Sequence, residues 1–219
     1  MNVVEELKLL GHESASDPWD AVEAFEYELK NYAGSKHCVV IDSCSNAIFL
    51  CLKYLGITNE YLEIPANTYS SVPMQIIHSG NFVNFINQTW DGNYHIGFTN
   101  IVDAATQFFS GMYQPNTYMC TSFHHRKTLK LGRGGCIFTD DDDFVTWAKP
   151  RIYDGRDYRK MYSEDDFSCI GYHMYMTPED AIRGLKLLHE IPPNNPTTGS
   201  SDTYHDLRKH EVFHEFMAQ

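Results

Sequence analysis

The sequence predicts an α/β domain, and three observations support this class. Short apolar segments such as 37–42, 61–65 and 82–86 are typical of buried strands. Segments with helical spacing and helix-capping residues lie between them, so that the two kinds of segment alternate along the chain. The chain has 219 residues, 42% of them hydrophobic and 21% charged, which indicates a packed core rather than a disordered chain.

The first predicted helix follows a capping pattern. Asp17 can accept hydrogen bonds from the free N–H groups of a helix start, and Pro18 suits the first helical position. Apolar residues then recur at helical spacing as far as about residue 32, and Gly34 favours an end to the helix. The strand predicted at 37–42 comes directly afterwards.

The turn at 42–46 joins this strand to a second predicted helix, which ends at Gly56. A strand, a turn of small polar residues and a helix together present free backbone N–H groups to an anion. Ser43 or Ser45 can equally cap the helix without any ligand. The turn therefore has two interpretations, a phosphate site or an ordinary helix cap.

Asp103 is predicted to lie at the carboxyl end of a strand. Ligands gather at that edge of an open α/β sheet, although aspartate at a strand end is also a common helix cap. A polar turn is expected at 88–94 and a helix up to about residue 78. The strands expected in this part of the chain are 61–65, 82–86 and 98–102.

Lys127 lies in a basic stretch between two apolar segments that are predicted to be strands. An amine is a nucleophile only when it is neutral, and desolvation or a nearby cation lowers its pKa. Arg126 supplies a cation in the sequence, and Ser122 supplies a hydroxyl five residues earlier. The stretch therefore suits covalent chemistry, and it also fits a solvated basic hairpin.

The last third of the chain is predicted to hold two helices and a linker. One helix runs from Asp142 to about Lys149, where Pro150 favours an end, and another begins at Thr177. The composition of 191–202 is typical of a linker. We therefore expect one α/β domain at residues 1–191, followed by a linker and short tail at 192–219.

The charge balance excludes some classes of partner. The formal net charge is −12, which argues against general binding to nucleic acids or anionic membranes. The start of the sequence does not resemble a signal peptide, and no apolar run is long enough for a membrane span. The six cysteines are scattered without a CxxC pair, so a reducing cytoplasm is expected.

Five segments, taken in order, resemble the motifs of the DegT-type aminotransferases, which use pyridoxal 5′-phosphate to aminate keto-sugars attached to nucleotides. Together they extend over most of the chain. The segments are AFEYELKNYAGSKHCVVIDSCSNAI, IPANTYSSV, IVDAATQF, SFHHRKTLKLGRGGCIFTDD and GYHMYMTPEDAIRG. The resemblance implies the large domain of a three-layer, fold type I PLP-dependent transferase with a mainly parallel central sheet. Because family members are usually longer, it also implies that most of the small C-terminal domain is missing.

The resemblance implies a role for each matching residue. Lys127 falls at the position of the Schiff-base lysine, which also transfers protons. Asp103 matches the carboxylate that pairs with the pyridinium nitrogen of the cofactor. Tyr69 matches the aromatic residue that stacks on the cofactor ring. The phosphate-binding positions are Cys44, Ser45 and Ser122.

Two positions that bear on contacts to the cofactor depart from the family pattern. Where the family has a glutamine that contacts the phenolic oxygen of the cofactor, this chain has Thr106, with Gln107 next to it. Where the family has an asparagine that reaches the phosphate in the neighbouring subunit, this chain has His173. Histidine can also donate a hydrogen bond to phosphate.

The resemblance implies transfer of an amino group from an amino acid, glutamate or glutamine, to a nucleotide-linked keto-sugar. It also implies a homodimer, because family sites are built between two chains. An alternative is a non-catalytic or regulatory protein that keeps the fold, which the shortened chain and the changes at Thr106 and His173 favour. Sugar dehydration is a third option, but the related dehydrating enzymes have histidine where this chain has Lys127.

A metal site is a competing interpretation of the last residues. His210, Glu211 and His214 form the pattern HExxH, which on an α-helix places two histidines on one face for zinc. A catalytic zinc also needs a third protein ligand, and few residues follow. We therefore expect no metal site and interpret the pattern as a chance match.

Overall fold

The computed structural model describes residues 2–217, and in this part of the chain it contains six α-helices and seven β-strands, which confirms the α/β class. The helices are α1 (Val3–Leu9), α2 (Asp20–Ala33), α3 (Cys44–Tyr54), α4 (Ser71–His78), α5 (Asp142–Ile152) and α6 (Pro178–Glu190). The strands are β1 (His37–Ile41), β2 (Tyr61–Pro65), β3 (Phe82–Ile86), β4 (Tyr94–His95), β5 (Ile101–Asp103), β6 (Tyr118–Ser122) and β7 (Gly135–Thr139).

The central sheet is mixed. The mainly parallel sheet that the family resemblance implied is therefore wrong. The five strands of the central sheet lie in the order β1-β7-β6-β5-β4, and β2 pairs with β3 in a separate parallel sheet. Within the larger sheet β5 and β6 are parallel, whereas the other three pairings are antiparallel. Two of the antiparallel pairings, β4 with β5 and β6 with β7, join strands that are consecutive in the chain with no crossover helix between them.

Side-chain alternation along the strands builds a three-layer domain. In β1, Val39 and Ile41 pack into the hydrophobic cluster that includes α3, α4 and α5. Cys38 and Val40 point to the opposite cluster, which includes α1, α2 and α6. Successive side chains of a strand face opposite sides of its sheet, so each strand contributes to both cores. The three-layer architecture expected from the family resemblance is therefore present.

Helices α2 and α6 approach closely because of a glycine. A Cβ atom at Gly184 would come within 2.4 Å of the Phe25 ring, which is fully buried. Glycine therefore allows the ring to lie against the α6 backbone. Burial of a phenylalanine side chain contributes roughly 1.5–3 kcal/mol to the free energy of unfolding.

Three details of the elements differ from the sequence-based expectations. The polar segment 88–94 ends in strand β4, whose residue Tyr94 pairs with Asp103 of β5. Helix α5 continues through Pro150 to Ile152, since a proline in the last turn removes only one backbone donor. Helix α1 was not predicted, and it is anchored by buried Val3 and Leu7.

The segment 192–217 folds back across the domain and does not extend away from it. The backbone N–H of Leu207 donates to the carbonyl of Ala66 at 2.9 Å, and that of Ser201 donates to Trp90 at 3.0 Å. Leu207 and Phe213 are buried in the core. The domain boundary at residue 191 stays a prediction, but the linker-like composition does not produce a free tail.

Two properties of the chain bear on its environment. All six cysteines are free, and five of them are buried. In the part of the chain that the structure describes, every helix is too short or too polar to cross a lipid bilayer.

Candidate functional site

A cavity of about 650 Å³ lies where the start of α3, the end of β5 and the segment after β6 meet. It brings together seven of the nine residues that the sequence predicted for the site, and it excludes Gln107 and His173. The seven that line it are Cys44, Ser45, Tyr69, Asp103, Thr106, Ser122 and Lys127. These residues come from segments far apart in the sequence, so the fold alone assembles them.

The N-terminus of α3 lies at one end of the cavity. Ser43 caps the helix, with its Oγ accepting a hydrogen bond from the N–H of Asn46 at 3.2 Å. Ser45 Oγ lies 2.6 Å from Ser71 Oγ, which begins α4. The first N–H groups of a helix have no partner within it, so this end carries a partial positive charge. Capping and anion binding are thus compatible at this turn.

Gly135 allows β7 to start beside this helix end. A Cβ atom at that position would lie 2.6 Å from the backbone nitrogen of Cys44 and 2.6 Å from the carbonyl oxygen of Thr121. Any other residue would therefore push the α3 N-terminus away from the sheet. With this close approach, both Cys44 at the helix end and Ser122 of β6 line the cavity.

Asp103 is a buried carboxylate at the end of β5. Its Oδ2 accepts a hydrogen bond from the Tyr94 hydroxyl at 2.8 Å, and its Oδ1 accepts one from the N–H of Ala105 at 2.9 Å. Burial raises the pKa of this carboxyl, while the two hydrogen bonds and the positive charge of Lys127 act in the opposite direction. Two hydrogen bonds therefore hold the Asp103 carboxyl group in a fixed position inside the cavity.

Lys127 extends into the same cavity from a turn that follows β6. Its backbone N–H donates to the carbonyl of His124 at 2.8 Å, which closes the turn. Burial lowers the pKa of the Lys127 amine, and the charges of Asp103 and Cys44 oppose that shift. Desolvation is the main cause of the lowered pKa, and the nearby Arg126 cation that the sequence suggested is not. The interpretation as a fully solvated hairpin is therefore wrong at Lys127.

Tyr69 lies at the mouth of the cavity, just before α4. Its side chain is 58% exposed, which excludes the interpretation that it only packs in the core. Its ring meets the ring of Tyr204 edge-on, with the two centroids 6.3 Å apart. The exposed face of Tyr69 is available for stacking against a flat ligand.

Thr106 and Gln107 are both engaged with other protein groups. The Thr106 hydroxyl lies 2.9 Å from each of two acceptors, the carbonyl oxygens of Gly92 and Gly199. Gln107 is buried, and its Oε1 accepts a hydrogen bond from Asn93 at 2.6 Å. Thr106 thus lines the cavity with its hydroxyl already bonded, and Gln107 does not reach the cavity.

His173 lies outside the main cavity. It lines a smaller cavity of about 230 Å³ together with Asp42 and Arg133, and its Nδ1 lies 2.9 Å from Asp154 Oδ2. The predicted role of His173 is in the site of a neighbouring subunit, so its place in a single chain leaves that role a prediction.

Three aromatic residues at the site were not predicted from the sequence. Tyr94 bonds to Asp103, and the rings of Trp90 and Tyr204 stack with centroids 5.7 Å apart. Trp90 and Tyr94 stand in a segment that looks like a polar turn, and Tyr204 stands in a segment that looks like a tail. Their size and apolar character amid polar neighbours were the only available signal.

The HExxH pattern does not form a zinc-binding helix. Residues Glu211–Phe216 form a 3-10 helix, and His210 precedes it, so the two histidines lack the α-helical spacing. His214 Nε2 lies 3.1 Å from the carbonyl oxygen of Arg208. Among residues 2–217, no group of three or more histidine, cysteine, aspartate or glutamate side chains is arranged to hold a metal ion.

Comparison with known proteins finds similarity to aminotransferases. The model of the "DegT/DnrJ/EryC1/StrS aminotransferase family" matches residues 5–108 and 110–197. The spore coat polysaccharide biosynthesis protein SpsC of Bacillus subtilis (strain 168) is 43% identical over 61 residues, which is 27% of this chain and 15% of SpsC.

Solved structures show the same fold at low identity. AtS13 from Actinomadura melliaura has a TM-score of 0.69 and 18% identity, with 85% of this chain and 64% of that chain covered. PseC from Helicobacter pylori, an aminotransferase involved in the biosynthesis of pseudoaminic acid, has a TM-score of 0.64 and 17% identity. That match covers 78% of this chain and 57% of PseC. The chain thus spans less than two thirds of the length of these proteins.

Proposed function

The chain belongs to the DegT/DnrJ/EryC1/StrS aminotransferase family, and from this premise we propose that it is a pyridoxal-phosphate-dependent sugar aminotransferase. The amino donor in this proposal is glutamate or glutamine, and the acceptor is a keto-sugar linked to a nucleotide. One observation carries the proposal. A single cavity unites the buried carboxylate of Asp103, the partly buried amine of Lys127 and the hydroxyl-lined N-terminus of α3.

The donor set of the cavity fits pyridoxal 5′-phosphate. The α3 N-terminus, with the hydroxyls of Ser45 and Ser122, would hold the phosphate, since such ends bind anions. Asp103 would face the ring nitrogen, and the exposed ring of Tyr69 would cover one face of the cofactor. Once bound, the cofactor supplies an aldehyde that reacts with amines and a ring that accepts electrons.

Lys127 performs two tasks in this proposal. Burial lowers the pKa of its amine, so this Nζ amine is neutral in a larger fraction of the molecules. A neutral amine can attack a carbonyl. The same Nζ atom would then take the proton from the substrate carbon that bears the amino group and pass it to the cofactor, which is the proton shift that amino transfer requires. Its partly buried position limits competition from water for that proton.

The wall of the cavity favours an anionic sugar substrate. Arg126 and Arg133 line it together with Lys127, although the chain has a formal net charge of −12. Such a local concentration of positive groups attracts phosphate-bearing ligands. The similarity to a polysaccharide biosynthesis protein supports a sugar acceptor. The buried free thiols agree with a reducing compartment, and we infer the cytoplasm.

The first experiment asks whether the cofactor binds at Lys127. The purified protein is mixed with pyridoxal phosphate, reduced with borohydride and digested, and the modified peptide is identified by mass spectrometry. We expect the label on Lys127 and its loss in Lys127→Ala. Lys130→Ala is the matched control, because Lys130 is an exposed lysine of the same hairpin. A label on any other residue would overturn the assignment.

The second experiment asks whether the amino group moves. We expect glutamate or glutamine to convert the visible absorbance band of the bound cofactor to that of pyridoxamine phosphate. A keto-sugar nucleotide should then restore the original band. Absence of conversion with every amino acid tested would favour the non-catalytic alternative.

The third experiment concerns assembly. We propose a homodimer in which His173 of each chain reaches the phosphate site of its partner. The exposure of His173 outside its own cavity supports this arrangement. Light scattering should give twice the chain mass, and a monomer that still binds the cofactor would remove this role for His173.

A further inference from the structure

Tyr94 is a buried tyrosine whose hydroxyl contacts the carboxylate of Asp103. Strand β4 pairs antiparallel with β5, and the register places Tyr94 directly opposite Asp103. The Tyr94 side chain is buried, and its hydroxyl lies 2.8 Å from Asp103 Oδ2. The same hydroxyl lies 2.5 Å from Thr68 Oγ1, which is also buried.

The direction of these hydrogen bonds follows from counting protons. An ionised carboxylate only accepts, so the single proton of the Tyr94 hydroxyl is donated to Asp103. The Tyr94 oxygen can then accept the proton of the Thr68 hydroxyl. A chain of two hydroxyls therefore runs from Thr68 through Tyr94 to Asp103 and ends at the carboxylate.

The other oxygen of Asp103 is held separately. Oδ1 accepts the N–H of Ala105 at 2.9 Å, and the thiol of Cys44 lies 3.9 Å away. The carboxylate is thus fixed through both oxygens, and its plane is set by Tyr94 and Ala105 together. Rotation of the carboxylate would break at least one of these bonds.

The hydroxyl chain also acts on the charge of Asp103. Burial raises the pKa of Asp103, and the hydrogen bond from Tyr94 lowers it by stabilising the charged form. Burial and the Asp103 charge raise the pKa of Tyr94 itself well above its ordinary value, so Tyr94 remains a donor at neutral pH. The lysine of the cavity is a further charge that faces Asp103.

We propose that Tyr94 is a positioning residue of the site, whose hydroxyl keeps Asp103 ionised and oriented toward the ring nitrogen of the cofactor. Thr68 supports it by supplying the proton that the Tyr94 oxygen accepts. This role rests on the proposed function. It acts through Asp103, because in the structure Tyr94 contacts that carboxylate and does not line the cavity.

The ring of Tyr94 has a separate, structural role. It packs against the Trp90 ring, with centroids 5.0 Å apart. Tyr94→Phe preserves this packing and removes only the hydroxyl. The matched control is Tyr118→Phe, since the buried Tyr118 donates to Asp141 at 2.6 Å in the same manner, away from the cavity.

The first measurement uses the protein without cofactor. Aspartate carboxyl carbons are labelled with ¹³C, the Asp103 signal is identified by its loss in Asp103→Asn, and its titration is followed by NMR. We expect the Asp103 midpoint to move to higher pH in Tyr94→Phe and to stay in place in Tyr118→Phe. An unchanged midpoint in Tyr94→Phe would overturn the proposed action on Asp103.

The second measurement uses cofactor labelled with ¹⁵N in the ring. In the wild type we expect a protonated ring nitrogen at neutral pH. In Tyr94→Phe we expect deprotonation at lower pH and a dissociation constant for the cofactor about tenfold higher. We also expect the kcat for transamination to fall about tenfold, with KM for the amino acid nearly unchanged.

The outcomes separate the two proposals. A wild-type protein that does not bind the cofactor would overturn the proposed function and this role with it. A bound cofactor whose ring nitrogen behaves identically in wild type and Tyr94→Phe would overturn the role of Tyr94 alone. A lower melting temperature as the sole effect of Tyr94→Phe would likewise mean that the hydroxyl serves only the packing of the domain.

Discussion

The two walls of the cavity differ in origin and in chemistry. The motif wall consists of residues that the sequence pattern predicted, at the start of α3 and after β5 and β6. The return wall consists of residues from the segments 90–92 and 198–204, which the pattern did not predict. The motif wall contains Cys44, Ser45, Asp103, Ser122 and Lys127, and the return wall contains Trp90, Gly92, Thr198, Thr203 and Tyr204.

In the proposed function the motif wall supplies the reactive groups, and the return wall sets the shape of the cavity. The amine and the carboxylate have pKa values shifted by burial, whereas the return wall is held by backbone hydrogen bonds and aromatic stacking. We infer that changes in the motif wall alter the reaction itself. Changes in the return wall should alter the binding of substrate and the stability of the fold.

The largest effect is expected at Lys127. Lys127→Ala removes the proposed nucleophile and proton carrier together, so kcat for transamination should fall by more than about 10⁴-fold. The measurement is the rate of pyridoxamine phosphate formation with glutamate. Lys130→Ala should retain the wild-type rate, and a comparable loss there would mean that the hairpin as a whole, and not the amine, matters.

Asp103→Asn should lower activity and raise stability. Loss of the charge opposite the ring nitrogen should lower kcat by about 10³-fold. The same change removes a buried charge, so the free energy of unfolding without cofactor should rise by on the order of 1 kcal/mol at neutral pH.

The pH dependence of stability gives a second readout for the same variant. Because burial raises the pKa of Asp103, the folded state holds that proton more tightly than the unfolded state. The free energy of unfolding should therefore fall as the pH rises from the ordinary value of 3.8 through the folded-state pKa. Urea titrations across this range should show a smaller fall in Asp103→Asn, and an identical fall would contradict the shift.

Tyr204 tests the return wall. Tyr204→Ala removes an aromatic ring that stacks on Trp90 and faces the cavity, so KM for the sugar substrate should rise about tenfold with kcat little changed. Tyr27→Ala is a suitable control because Tyr27 is 55% exposed and lies on α2. If kcat instead falls as far as in Asp103→Asn, the distinction between the walls is wrong.

The smallest effect is expected at Thr106. Thr106→Val keeps the shape of the side chain and removes the hydroxyl that bonds to Gly92 and Gly199. The free energy of unfolding should fall by about 1 kcal/mol, measured in urea. Cofactor affinity should remain at the wild-type level, since this hydroxyl is committed to the backbone. A large loss of affinity would mean that the Thr106 hydroxyl contacts the cofactor.

The difference between the walls also explains how much the sequence could predict. Asp103 and Lys127 follow strands that are visible as apolar runs, so their approach to one sheet edge could be expected. Ser43 caps α3 as its position suggests. The α/β class followed from the strand-like and helix-like segments in the same way, and the three-layer architecture followed from the family resemblance.

The features that were missed depend on pairings distant in sequence. Tyr94 reaches Asp103 only because β4 turns antiparallel to β5, and no local pattern indicates that turn. Tyr204 reaches the cavity only because residues 192–207 return across the domain. The polar composition predicted a linker there. Composition indicates which side chains favour water, but it does not indicate which backbone N–H and C=O groups form hydrogen bonds with the rest of the domain.

The return of residues 192–217 has a consequence for the order of folding. The bond between Thr197 and Asp91 joins residues 106 positions apart, so the return wall closes only after residue 197 has been synthesised. Closure of so long a loop has an entropic cost, and the central sheet can form without this closure. A ligand that binds the finished cavity would favour the closed chain by mass action. Cofactor present during refolding should therefore increase the yield of native protein.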